Sequence, residues 1–178
     1  MSDRIELGDL PHYTYKEFKQ WEGNWELIHG IPYAMSPAPR RNHQRISGRI
    51  LVQLDEKLAD CDKCEVFQPI DIKLKEDTIV QPDLSILCDA TDEDITIVPV
   101  LVVEILSPST AIKDKNLKFK LYESYGVKYY WIVEPDRQWI EVYELVENKY
   151  QRLTAQSQET FDIGTCSFSF NFDKIWNR

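Results

Sequence analysis

No stretch of the 178-residue chain stays apolar for the roughly 20 residues that a bilayer span needs, so nothing in it reads as a membrane helix. The opening MSDRIELGDLPHYTYKEF lacks the basic start and apolar core of a secretory signal, which makes a cytoplasmic location the expectation. Cysteine is sparse. The CxxC at Cys61-Asp62-Lys63-Cys64 has no second CxxC and no nearby histidine pair to complete a zinc site. A metal knuckle or redox pair there ranks below a plainer reading, a reduced cytosolic helix end. Repeats, low-complexity segments and linkers are also missing, and the length suits one domain, 1–178, with a real core. Basic charge is short overall: a net charge of −9 argues against a nonspecific polyanion binder.

The basic residues that are present are concentrated. Ser36 to Leu54 holds Arg40, Arg41, Arg45 and Arg49 and no acid, while Ala111 to Lys120 holds four lysines and one aspartate. Those two segments carry +7 and leave −16 on the rest. Two local basic surfaces on an acidic chain fit contact with a polyanion at chosen places.

Periodicity outlines the elements. Thr14 to Trp21 reads as a short helix, with Thr14 as cap and Glu17 as its capping-box partner. Trp25 to Met35 reads as two short strands around His29-Gly30, and Pro37-Ala38-Pro39 is a break. Arg40 to Ala59 is a helix whose apolar arc holds Ile46, Ile50, Leu51, Leu54 and Leu58, with Arg41, Arg45 and Arg49 opposite. His43 falls inside the apolar arc, in the first turn. A histidine so placed is as readily a satisfied core residue as a functional one.

Glu65 to Leu74 alternates as one strand, Lys75-Glu76-Asp77 is a turn, and Val80 to Cys88 is another strand. On that strand Val80, Pro82, Leu84, Ile86 and Cys88 share one face, and Gln81, Asp83 and Ser85 the other. Ile97 to Leu106 is a continuous apolar run with a single charge, Glu104, which suggests a strand buried on both faces. A helix from Ser109 to Gly126 and a strand from Lys128 to Glu134 complete a crossover unit. Residues 138–146 and 150–154 form a hairpin around Glu147-Asn148, and the aromatic tail adds strand character. The fold class is α/β with a mixed sheet.

Glu104 is the chemical question. A lone carboxylate in a buried strand is costly unless something pairs with it, protonates it or uses it to hold a metal. If its strand neighbours the one before, Asp83 and Glu104 converge on one face. Two carboxylates and a backbone carbonyl suit a divalent ion such as Mg²⁺, which lowers the pKa of bound water and neutralises phosphate charge. Projection of residues 111–126 puts Lys118 in the same arc as Leu117, Leu121, Tyr122 and Tyr125, facing the sheet. Taken singly, each has a bland alternative: Asp83 a strand-end residue, Glu104 half of a buried ion pair, Lys118 a snorkelling side chain.

Pro82-Asp83, Glu104 in an apolar strand 21 residues later, and a lysine on the next helix resemble the PD-(D/E)XK nuclease superfamily. The usual lysine position, two residues after the acid, is Leu106 here, which is a departure. Lys118, 14 residues after the acid, matches members whose lysine has moved to the helix. More closely, VVEILSPST with Asp114, Lys118, Leu121-Tyr122, Gly126-Val127 and YYWIVEP resembles a bacterial family of restriction-endonuclease-like proteins first defined as a domain of unknown function. Glu26-Leu27-Ile28 with Gly30, Ser36-Pro37 and His43 fit the same pattern, and the likeness runs from about Tyr13 to Val146.

The resemblance implies a restriction-endonuclease-like core, a mixed β-sheet flanked by helices with additional C-terminal strands. It also implies a Mg²⁺ or Mn²⁺ site at Asp83 and Glu104 with the Ile105 carbonyl, Lys118 as catalytic lysine, Glu26 near the metal and His43 in support. DNA is the implied substrate, held by Arg40, Arg41, Arg45, Arg49, Lys113 and Lys115, and a homodimer the implied assembly. Two other readings stand beside the metal-dependent endodeoxyribonuclease. One is a noncatalytic nucleic-acid-binding or protein-interaction module that retains the fold. The other is a structural core in which Glu104 and Lys118 are merely a buried pair, where Lys118→Met would be neutral or stabilising.

Overall fold

A computed structural model describes residues 11–35, 40–91, 96–107, 113–154, 156–164 and 166–176, excepting the side chains of residues 113–115. The break at Pro37-Ala38-Pro39 and the caps at Ser109 and Thr110 lie outside the described residues.

Helix α1 (Tyr15–Phe18) begins at Thr14, whose backbone N–H donates to Glu17 Oε2 at 2.8 Å. Strands β1 (Trp25–Ile28) and β2 (Ile31–Ala34) are joined through His29 and Gly30, with φ of 51° and 76°. Two consecutive positive φ values match the twist of a tight hairpin. The His12 ring lies against Gly30, 2.2 Å from where a Cβ would sit. Helix α2 (Arg41–Leu58) follows its apolar arc, with Ile46, Ile50, Leu54 and Leu58 buried.

Two expected strands divide. Glu65 to Leu74 becomes β3 (Cys64–Phe67) and β4 (Ile72–Lys75), in different sheets. Val80 to Cys88 becomes β5 (Thr78–Val80) and β6 (Leu84–Cys88), again in different sheets. A proline interrupts each run, Pro69 and Pro82; without an N–H it cannot continue a ladder. Alternation passed through both breaks because an extended link keeps the period of a strand while leaving its sheet.

The remaining elements are β7 (Leu101–Ile105), α3 (Phe119–Tyr125), β8 (Tyr129–Glu134), β9 (Trp139–Val146), β10 (Lys149–Leu153), β11 (Gln158–Asp162), β12 (Ser167–Asn171) and α4 (Asp173–Trp176). Strand β7 is shorter than the apolar run that announced it. A π-helical turn, Lys113–Lys118, leads into α3, which ends at Gly126 with φ 82°. The β9–β10 hairpin turns at Glu147 and Asn148, both at positive φ. Helix α4 was not foreseen in a tail read as strand.

Strands β2-β1-β5-β4 make an antiparallel four-stranded sheet, β10-β9-β8-β7-β6-β3 a six-stranded one, and β11-β12 a separate hairpin. Only β7 and β8 run parallel in the large sheet, as the crossover through α3 requires. Helix α2 packs on one face of that sheet with the C-terminal hairpin: Ile46, Ile50 and Leu54 join Val103, Trp131, Phe161 and Phe170 in one core. The other face meets α3 and the small sheet, where Ile28, Val80, Val102, Leu121, Tyr122 and Tyr130 form a second core. The tail aromatics are therefore interior.

The cysteines are not reduced. Cys61 pairs with Cys166 and Cys64 with Cys88, so the CxxC bonds outward rather than within itself. Cys64 and Cys88 stand directly opposite in the β3–β6 ladder, and Cys61 lies in the link between α2 and β3. The expectation of a reduced helix end is corrected by this geometry: sheet register and the return of the C-terminal hairpin bring distant thiols together.

Candidate functional site

The break at Pro82 builds the site. Gln81-Pro82-Asp83 carries the chain from the small sheet to the large one, so Asp83 stands at the mouth of β6. The β6–β7 ladder pairs Leu84 with Val103, and one more step of that register sets Asp83 opposite Glu104. Strand alternation then gives the two carboxylates the same face. Asp83 Oδ2 accepts the Ile105 N–H at 2.7 Å, and its Oδ1 lies 3.1 Å from His43 Nε2.

Deeper in, Lys118 is buried to 2% exposure between two acids. Its Nζ lies 2.6 Å from Glu104 Oε1 and 2.8 Å from Glu26 Oε1. Glu26, on β1, is fully buried, and its Oε1 also accepts the Gln81 N–H at 3.0 Å. Strand β1 and the π-turn before α3 thus bring a carboxylate and an ammonium to one point. An extra residue in a helical turn re-aims the side chains that follow, and such turns recur at functional sites.

The three carboxylates and the lysine come together, with His43 on the outermost acid. Of the basic residues, Arg40, Arg41 and Arg45 are exposed on the first turns of α2, at the end of the helix that carries His43. Arg45 Nη2 donates to Asn42 Oδ1 at 2.6 Å, and Asn42 Nδ2 donates to the Pro135 carbonyl at 3.2 Å, anchoring that end of α2 to the corner after β8. Arg49 is half-buried, and its Nη1 donates to the Ile175 carbonyl at 2.9 Å, tying α2 to α4. The side chains of Lys113 and Lys115 lie outside the described residues.

Some residues of this neighbourhood were missed. The Tyr122 hydroxyl donates to Glu104 Oε1 at 2.9 Å. The signal was available, since Tyr122 falls four residues after Lys118 in the same arc. Burial, and next the Glu104 charge, push the Tyr122 phenol well above its ordinary range. Gln81 Nε2 donates to Asp71 Oδ1 at 3.0 Å. Burial raises the Asp71 carboxyl above its usual range; the Gln81 bond opposes this and the Glu26 charge adds to it.

Among the described residues, no group of three or more His, Cys, Asp and Glu side chains is placed to hold a metal ion. The donor set fits an ion that needs fewer. Asp83 and Glu104 offer hard oxygen donors next to the β6–β7 ladder, with Ile105 adjoining, and Mg²⁺ commonly takes one or two carboxylates and keeps its waters. Glu26 and Glu104 flank the one ammonium of Lys118, with the Asp83 carboxylate beside them, a set of acids that a cation would help to offset.

Residues 15–172 match a family model, Uma2, described as "Putative restriction endonuclease". "Uncharacterized protein slr1290" of Synechocystis sp. is 30% identical over 179 residues, which span 94% of this chain and 93% of that protein. The crystal structure of a "putative nuclease belonging to DUF820" from Anabaena variabilis shares the fold, with a TM-score of 0.74 at 17% identity over 92% of this chain and 97% of that one.

Proposed function

The chain belongs to the Uma2 family of putative restriction endonucleases, and on that premise we propose that it is a divalent-metal-dependent endodeoxyribonuclease. The observation that carries this reading is the meeting of Glu26, Lys118 and Glu104 beside Asp83, from four separate segments of the chain. Asp83, Glu104 and the Ile105 carbonyl would hold Mg²⁺ or Mn²⁺. When bound, such an ion would lower the pKa of a water and neutralise charge on the phosphate under attack.

The chain's own residues do the rest. His43 fixes Asp83 through Oδ1, and the Ile105 N–H fixes it through Oδ2. Glu26 holds the Lys118 ammonium together with Glu104, so Nζ is tethered at two points. From there Lys118 donates to the attacking water or to a phosphate oxygen, where negative charge grows as the new P–O bond forms and the old one breaks. The α2 N-terminus has no acid in its first turn, and Arg40, Arg41 and Arg45 beside it would grip the phosphate backbone and steer DNA onto the site.

One observation favours a second reading. Glu26 and Lys118 are almost wholly shielded from water, as a purely structural ion cluster in a noncatalytic nucleic-acid-binding module would be. Cleavage of supercoiled plasmid with Mg²⁺ or Mn²⁺ separates the two. Wild type should nick and linearise the plasmid, while Asp83→Ala and Lys118→Ala should lose at least 100-fold of that rate, the scale of removing a group that stabilises the transition state. Equal activity in all three would mean contamination, and no cleavage by any would leave the binding module.

A further inference from the structure

Glu104 receives two donors on a single oxygen. Lys118 Nζ is 2.6 Å from Oε1 and the Tyr122 hydroxyl is 2.9 Å from the same atom. The two donors stand four residues apart, one helical turn, so a single helix face delivers both. The mechanism above uses Lys118 but leaves Tyr122 without a role, although it is fully buried. A buried hydroxyl needs a partner, and Tyr122 has spent its donor on the acid facing Asp83.

Its surroundings fix the ring. Tyr122 packs edge-on against Tyr130, with centroids 5.1 Å apart, and lies in the core shared by α3, β7 and β8. Tyr130 is rooted in β8, the parallel neighbour of β7. The hydroxyl therefore has little freedom to swing away.

We propose that Tyr122 is a positioning residue: with Lys118 it grips Oε1 of Glu104 and holds that carboxylate in the one orientation that serves a cation shared with Asp83. The proposal rests on the metal-dependent reading of this site. A ligand carboxylate held by one donor can turn about its terminal bond, whereas one held by two donors from a rigid face cannot. Loss of an outer partner of a metal ligand costs about 10–100-fold in metal affinity or activity.

Tyr122→Phe keeps the ring and its packing and removes only the hydroxyl. Mn²⁺ titrated calorimetrically into the DNA-free protein should bind at least tenfold more weakly to the variant than to wild type. In plasmid cleavage at saturating Mn²⁺, kcat should fall while KM for DNA holds, since Tyr122 touches no DNA-facing residue in the proposed mechanism. A merely structural tyrosine would lower the melting temperature and leave Mn²⁺ affinity and kcat alone, and that result overturns the proposal. If wild type binds Mn²⁺ and cleaves while Tyr122→Phe matches it, Tyr122 fails and the nuclease reading stands. If wild type neither binds Mn²⁺ nor cleaves, the nuclease reading fails and Tyr122 falls with it. Should Tyr122→Phe not fold, 3-fluorotyrosine placed at position 122 keeps the hydroxyl and supplies a ¹⁹F signal. That signal should shift on saturation with Mg²⁺, and a signal indifferent to Mg²⁺ overturns the proposal.

Discussion

Lys118 touches two acids, Glu26 and Glu104, from two strands of different sheets. For an ordinary buried pair, exchange of both charges for apolar groups can be neutral, but removal of one partner leaves a charge stranded. Here one substitution strands two. Lys118→Met should therefore destabilise the fold by ~3–5 kcal/mol in chemical denaturation, the cost of removing one partner from a buried ion pair. The combined Glu26→Gln, Glu104→Gln and Lys118→Met chain should regain most of that loss without regaining cleavage. If the single variant proves as stable as wild type, the charged triad is not holding the two sheets together. At this scale the sequence was informative because Asp83, Glu104 and Lys118 are chemically conspicuous in their surroundings. Tyr122 and Gln81 were missed because a tyrosine in an apolar arc, or a glutamine before a proline, is unremarkable until its partner is known.

The elements show what periodicity can and cannot carry. Helix α2, both tight hairpins and the β7–α3–β8 crossover follow directly from spacing and turn residues. Sheet membership does not, because β5 and β6 share one alternation yet lie in different sheets on either side of Pro82. That division is also what aims Asp83 at Glu104. Helix α3 is tied to the far hairpin by Glu123, which receives Lys149 Nζ at 2.8 Å and the Tyr150 N–H at 2.7 Å. These bonds, the Lys149 one foremost, hold the Glu123 carboxyl below its ordinary value of 4.5. A lowered folded pKa adds stability above the unfolded pKa and loses it as pH falls through the folded one. Glu123→Gln should thus cost ~0.5–1 kcal/mol at pH 7, a modest figure because Lys149 is solvent-exposed. Urea titrations of the two proteins should converge as pH falls through the lowered folded pKa, and a gap that persists in acid would mean that the charge is not the cause.

For the molecule as a whole, the two disulfides are the largest departure from a sequence that read as a reduced cytosolic chain. Which thiols meet depends on the final register of β3 on β6 and on the return of β11–β12 across α2, neither of which spacing reveals. The Cys61–Cys166 bridge spans 105 residues, so its loss should cost ~2–5 kcal/mol. Cys61→Ser with Cys166→Ser should lower the unfolding free energy in chemical denaturation by that amount, and dithiothreitol should bring wild type at least as low. A midpoint indifferent to reductant would contradict the pairing. The same bridge divides the site topologically. Residues 61 to 166 form a closed covalent ring that contains Asp83, Glu104, Lys118 and Tyr122, while Glu26 and His43 belong to the free arm. The ring is closed by chemistry, and the arm is docked on it at the site by Glu26 against Lys118 and the Gln81 N–H and by His43 against Asp83. A backbone break inside the ring therefore sheds no fragment, whereas a break ahead of Cys61 severs part of the arm outright. The cluster of Glu26, Lys118, Glu104, Asp83 and His43 is a joint between two separately tethered pieces of one chain, bridged by ion pairs.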